Sequence, residues 1–189
     1  MVVLLAALAA LCLAAPRCLA DEVDPTTLTP EAVWAAMPTM ADMSGAVLQP
    51  QDWWPNLPEF NVGPLDPMPA PGERFYLVQR FTSGPVCPTP AYLQLTVTVF
   101  TNATDAHQVL RAEEHTAGGV AEASAGPHLG NESGYFIFPG SSLLVFRVGP
   151  FVARVEGSSA APLSVDQLAI CGRALEAKLI DLRYGRITA

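Results

Sequence analysis

The stretch SLLVFRVGPFVARVEG, residues 142–157, decides the fold. Two apolar runs flank Gly149-Pro150, and glycine at the first central position of a two-residue loop suits a type II′ hairpin turn. Pairing Val148 with Phe151 sets the register. Leu144, Phe146 and Val148 then share a face with Phe151, Ala153 and Val155, and the opposite face carries Arg147 and Arg154. A slip of one residue would turn the apolar set outward, so the register is strongly specified.

Working outward, Tyr135 to Phe138 reads as a short strand ended by Pro139-Gly140. Downstream, Ser164-Val165-Asp166-Gln167 has the form of a capping box. The helix it opens runs to about Leu182, with Leu168, Cys171, Leu175, Leu179 and Leu182 at helical spacing on the inward stripe. Upstream, Tyr92 to Phe100 alternates, with Leu93, Leu95, Val97 and Val99 facing one way and Gln94, Thr96 and Thr98 the other. Arg74 to Thr82 is a further strand, with Phe75, Leu77 and Phe81 on one side. Asn102 or Thr104 caps a helix reaching about His115, with Ala106, Val109 and Leu110 inward, and residues 118–134 read as a loop. The order ββαβββα lacks the alternation of a doubly wound fold. It predicts an α+β domain over residues 74–189: an antiparallel sheet of about five strands with helices on one face.

Two segments precede that body. Met1 to Ala15 is apolar and too short for a bilayer span, and Cys18-Leu19-Ala20 offers small residues before Asp21 as a signal-peptidase site. Residues 1–20 are therefore expected to be a cleaved secretory signal, leaving no stable membrane span, although no Lys or Arg precedes the apolar run. A lipoprotein is disfavoured because Leu11 and Arg17 precede Cys12 and Cys18, where a small residue is needed. Residues 21–73 hold a polar lead-in, a helix started by Thr29-Pro30-Glu31 and ended by Pro38, and then a Pro/Trp-rich wrapping segment. Seven prolines between Pro50 and Pro71, with Trp53 and Trp54 among them, exclude a central strand there.

Half of the 189 residues are hydrophobic and 15% are charged, enough apolar material for a core. The formal net charge is -8 and Lys178 is the single lysine, which disfavours nucleic acid as a partner. The scarcity of lysine with abundant Ala, Pro, Gly and Arg points to a GC-rich bacterial genome. After signal removal two cysteines remain, Cys87 and Cys171, and an oxidising compartment favours a disulfide between them. Closing that loop of about 85 residues is worth roughly 4–5 kcal/mol in the chain-entropy model. The alternative is a buried thiol at Cys171 and a free one at Cys87.

No motif assigns a reaction, a metal or a cofactor. His107 and His115 are eight residues apart, whereas zinc on one helix prefers a spacing of three or four. His128 sits in a Gly-rich stretch. Ser44, Ser83, Ser141 and Ser142 lie beside glycines or follow one, but none forms a nucleophile elbow. Glu113 and Glu114 are adjacent, so they point apart on a helix and read as a solvent-facing helix end. Asn102-Ala103-Thr104 and Asn131-Glu132-Ser133 match the glycosylation sequon. The polar face of the sheet is the candidate ligand face: Tyr92 and Phe100 bracket Thr96 and Thr98, with Arg147 and Arg154 on the same side. The plain alternative is a solvent face, or one covered by the Pro/Trp segment.

From about Phe75 to Leu179 the chain resembles a diffuse group of uncharacterised secreted bacterial α+β domains. The resemblance rests on LTVTVFTNATDAHQVLRAEE, on the hairpin LLVFRVGPFVARVEG and on the closing Ala/Leu-rich helix. In that group the hairpin turn is often Gly-Asn, whereas here it is Gly149-Pro150. The resemblance implies a small α+β domain and no particular reaction. The resulting expectation is a secreted or periplasmic, non-enzymatic domain that binds a partner protein or small ligand. A secreted hydrolase and a structural surface component are the alternatives.

Overall fold

The computed structural model describes residues 21–39, 41–43, 53–55, 70–83, 92–158 and 163–187. The expected signal, most of the Pro/Trp-rich segment and the loop carrying Cys87 lie outside the described residues.

The hairpin forms as its residues dictate. Strands β6 (Ser141–Val148) and β7 (Phe151–Ser158) pair antiparallel with Val148 opposite Phe151. Gly149 has φ +56°, the left-handed value a type II′ turn requires at its first central residue, and Pro150 then supplies the negative φ of the second. The other strands are β1 (Trp53–Pro55), β2 (Glu73–Ser83), β3 (Tyr92–Phe100), β4 (Glu122–Ser124) and β5 (Glu132–Phe138). They join the hairpin in one antiparallel sheet of order β1-β2-β3-β7-β6-β5-β4. The sheet has seven strands against an expectation of about five. The two additional ones, β1 and β4, are three-residue strands at its two edges, too short to carry a period-two signature.

Helix α1 (Pro30–Ala35) starts at Thr29, whose hydroxyl accepts from the Ala32 amide at 3.3 Å. Helix α2 (Ala103–Gly118) is capped by Asn102, whose side-chain oxygen accepts from the amides of Thr104 and Asp105. Helix α3 (Val165–Arg183) opens on the capping box: the Gln167 amide donates to Ser164 Oγ and the Ser164 amide to Gln167 Oε1. Each cap satisfies helix-terminal donors that would otherwise lack partners.

The helices occupy both faces of the sheet, which corrects the expectation of one covered face. On the first face, Leu95, Val97, Leu144, Phe146, Ala153 and Val155 pack against α3 residues such as Leu168, Leu175 and Leu179. Leu28, Val33 and Met37 join this same core from the N-terminal segment. On the second face, Phe100, Phe136, Leu143, Val145 and Val152 pack against Ala106, Leu110 and Ala117 of α2. The cause is in the strands: β6 and β7 are apolar at Leu143, Val145 and Val152 as well as on the hairpin's inner face, so both sides need cover. Topology supplies it. The chain leaves β3 near the centre and re-enters at the far edge, β4, so the connecting α2 must cross the sheet. Helix α3 follows β7 and takes the other side.

The lead-in is tied to the body at two points. Arg74 donates to the carbonyls of Pro25 and Leu28, and the Val23 amide donates to the Arg183 carbonyl at 2.8 Å.

Candidate functional site

The register places Tyr92, Phe100, Arg147 and Arg154 on one face of the sheet, the face α2 crosses. They do not converge. Phe100 is fully buried beneath α2. Arg147 is consumed by structure: its Nε donates to Glu132 Oε1 at 2.8 Å and its Nη1 to the Gly149 carbonyl at 3.0 Å, clasping the hairpin turn to β5. His107 Nδ1 meets the same Glu132 carboxylate at 2.9 Å. Burial opposes ionisation of Glu132, but the bonds and charges of His107 and Arg147 outweigh it and hold the carboxyl below its ordinary pKa.

Arg154 and Tyr92 lie apart from these, on β7 and β3. Arg154 stands at the middle of β7, opposite Thr96 of β3 and Val145 of β6. Tyr92 donates its hydroxyl to Glu156 at 2.9 Å, and burial together with that carboxylate raises the phenol's pKa. A polar row continues across the strands: Arg80 Nε donates to Gln94 Oε1 at 2.7 Å, and Gln94 Nε2 lies 3.4 Å from Thr96 Oγ1. Thr96 and Thr98 are themselves buried, as are Tyr76 and Val78 beside them.

Between α2 and this part of the sheet lies a cleft of about 630 Å³. Its wall is the side of α2 bearing Val109, Ala112, Glu113 and Ala117, and its floor is Phe138, Leu143 and Arg154. Ala70 and Pro71 border it at the entry to β2. Phe138, Leu143 and Arg154 also line a smaller adjoining recess of about 180 Å³ that reaches Ser141 and Glu156. Val120, 72% exposed, also lines the cleft.

Glu113 is the residue that sequence reasoning misplaced. The sequence predicts a solvent-facing side chain; it is 25% exposed, but its Oε2 is shielded in the cleft without a hydrogen-bond partner. Arg154 Nε is 3.8 Å away, beyond hydrogen-bonding distance. Burial raises its pKa, the Arg154 charge lowers it less, and the Glu73 carboxylate adds to the rise. Glu114 does turn away, to Arg111 at 2.8 Å. A signal was available: Glu113 is spaced three from Leu110 and four from Ala117, so it falls on the buried stripe of α2.

The remaining candidates are accounted for locally. The sequon asparagines both serve the backbone, Asn102 as the α2 cap and Asn131 by accepting from the Gly149 amide at 2.8 Å. Cys171 is a fully buried thiol in the main core, its pKa pushed up to about 12 by burial. Its expected partner, Cys87, lies outside the described residues. Compared with protein-family models, with curated proteins and with solved structures, the chain matches none of them.

Proposed function

We propose that the chain is an exported, non-enzymatic domain that binds a small amphiphilic molecule in the cleft between α2 and the sheet. One observation carries the reading: an apolar cleft of about 630 Å³ contains one guanidinium and one carboxylate that do not hydrogen-bond each other. Ligand sites are typically concave, mostly apolar and provided with a few polar groups that fix orientation. Val109, Ala112, Ala117, Phe138 and Leu143 supply the apolar surface, and Arg154 and Glu113 the polar groups.

Binding is favoured over hydrolysis because the cleft's lining is mostly apolar, with Glu113 and Arg154 as its charged groups. His107, the histidine with a carboxylate partner, shares that partner with Arg147 on the hairpin clasp. The export reading rests on the apolar leader followed by small residues before Asp21. Among the described residues no helix is long and apolar enough to cross a membrane.

The test is fluorescence of the apolar dye N-phenylnaphthylamine on the purified protein. Emission should rise saturably with wild type and be lost in Ala112→Trp, whose indole fills the cleft from α2, with the circular dichroism unchanged. Absence of a saturable rise, or equal binding by the filled variant, would overturn the reading.

A further inference from the structure

We infer that the cleft selects ligands whose head group is a hydrogen-bond-donating cation, an alkyl or aryl-alkyl ammonium, seated against Glu113 with its apolar tail along Val109, Ala112, Phe138 and Leu143. The inference rests on the cleft being a binding site and names the ligand class.

Three observations support it. Glu113 Oε2 is shielded from solvent and accepts no hydrogen bond. A buried acceptor without a donor costs about 1–3 kcal/mol, and the cost ends when a ligand supplies the donor. The nearest protein cation does not supply it, because Arg154 Nε stops 3.8 Å away. The balance of charge around the cleft is also acidic. Among the described residues lining the cleft and its adjoining recess, the charged groups are the carboxylates of Glu113 and Glu156 and the guanidinium of Arg154. An anionic head drawn to Arg154 would meet Glu113 and Glu156 as well, and the low-polarity lining would magnify that repulsion. An ammonium meets the opposite field. It gives Glu113 its missing donor and has further N–H groups for solvent at the mouth. A neutral alcohol supplies the donor without the charge, so it should rank between the two.

The test is competition against the bound dye at neutral pH, using decylammonium, decanol and decanoate below their aggregation concentrations. Decylammonium should displace the dye at about tenfold lower concentration than decanol, a difference of about 1.4 kcal/mol, with decanoate weakest. Glu113→Gln should erase the advantage of decylammonium over decanol. Arg154→Met removes the cation nearest Glu113 and should widen the advantage of decylammonium over decanol, which keeps the inference testable if the first variant folds poorly. Equal displacement by all three, decanoate acting first, an advantage that survives Glu113→Gln, or no displacement of a bound dye would each overturn the inference. Failure of the dye itself to bind wild type would instead remove the cleft reading beneath it.

Discussion

Replacing Arg147 by methionine should destabilise the domain by about 1.5–3 kcal/mol, because the side chain fastens the hairpin turn to β5. Its side chain is 14% exposed and that of Glu132 is 23% exposed, so the pair is largely withdrawn from water. Three contacts are lost: Arg147 Nε and Nη2 to Glu132 Oε1, at 2.8 and 2.7 Å, and Nη1 to the Gly149 carbonyl at 3.0 Å. Fully exposed pairs contribute about 0–1 kcal/mol, and breaking a fully buried one costs about 3–5. The present pair falls between because His107 remains on the Glu132 carboxylate after the substitution. For a domain of this size the loss corresponds to a fall in Tm of roughly 3–10 °C, measured by calorimetry. Arg111→Met is the control, since Arg111 is 63% exposed and its removal should leave Tm within experimental scatter. The pH dependence has a defined sign. The folded-state pKa of Glu132 is lowered, so its contribution is present above the ordinary glutamate value of about 4.3 and is lost as pH falls through the lower folded value. The gap between wild type and Arg147→Met should therefore narrow below about pH 4. A deficit no larger than that of Arg111→Met, or one that persists undiminished in acid, would show that Arg147 is not the clasp described and would return it to the candidate ligand residues.

The two-sided core predicts that Leu110→Ala on α2 and Leu175→Ala on α3 each cost about 2–5 kcal/mol in urea unfolding, since both are fully buried. A negligible cost at Leu110 would contradict the second core. Gly130→Ala should lower the urea midpoint by the equivalent of about 2–4 kcal/mol. Gly130 has φ +57°, and an added Cβ would lie 2.1 Å from the Arg147 carbonyl oxygen, a backbone atom that cannot swing aside. Near-neutral stability there would refute that packing. Reduced protein should hide Cys171 from a thiol reagent at about pH 8 until it is unfolded, because the thiol is buried and its pKa is pushed up to about 12. Rapid labelling of Cys171 in the folded, reduced protein would contradict that burial. Unreduced exported protein that shows no thiol even when denatured would establish the proposed Cys87–Cys171 bridge.

The parts of the fold legible in the sequence are those where local pattern and tertiary demand agree. The hairpin needed a turn that only certain residues accept, and Gly149-Pro150 supplies both φ values while the apolar register fixes the pairing. The α3 capping box and the strict alternation of β3 are of the same kind. What escaped had a tertiary cause. β4 lies within a stretch that reads as a loop, and that stretch also supplies Glu132, so the partner of Arg147 was invisible. Arg147 and Arg154 drew attention to a polar face, although Leu143, Val145 and Val152 beside them were marking the same face for burial. That conflict also locates the site. A sheet face that is apolar enough to require a helix, yet carries an arginine at its centre, cannot be sealed completely without stranding the charge. Helix α2 covers Leu110's side of the face tightly and stands off around Arg154, presenting Glu113 from the same stripe rather than another leucine. The cleft is therefore a consequence of two charged residues at positions where periodicity calls for apolar ones. Glu113→Leu with Arg154→Leu should accordingly close it, raising stability while abolishing dye binding. A double variant that keeps both the open cleft and the dye would disprove that account.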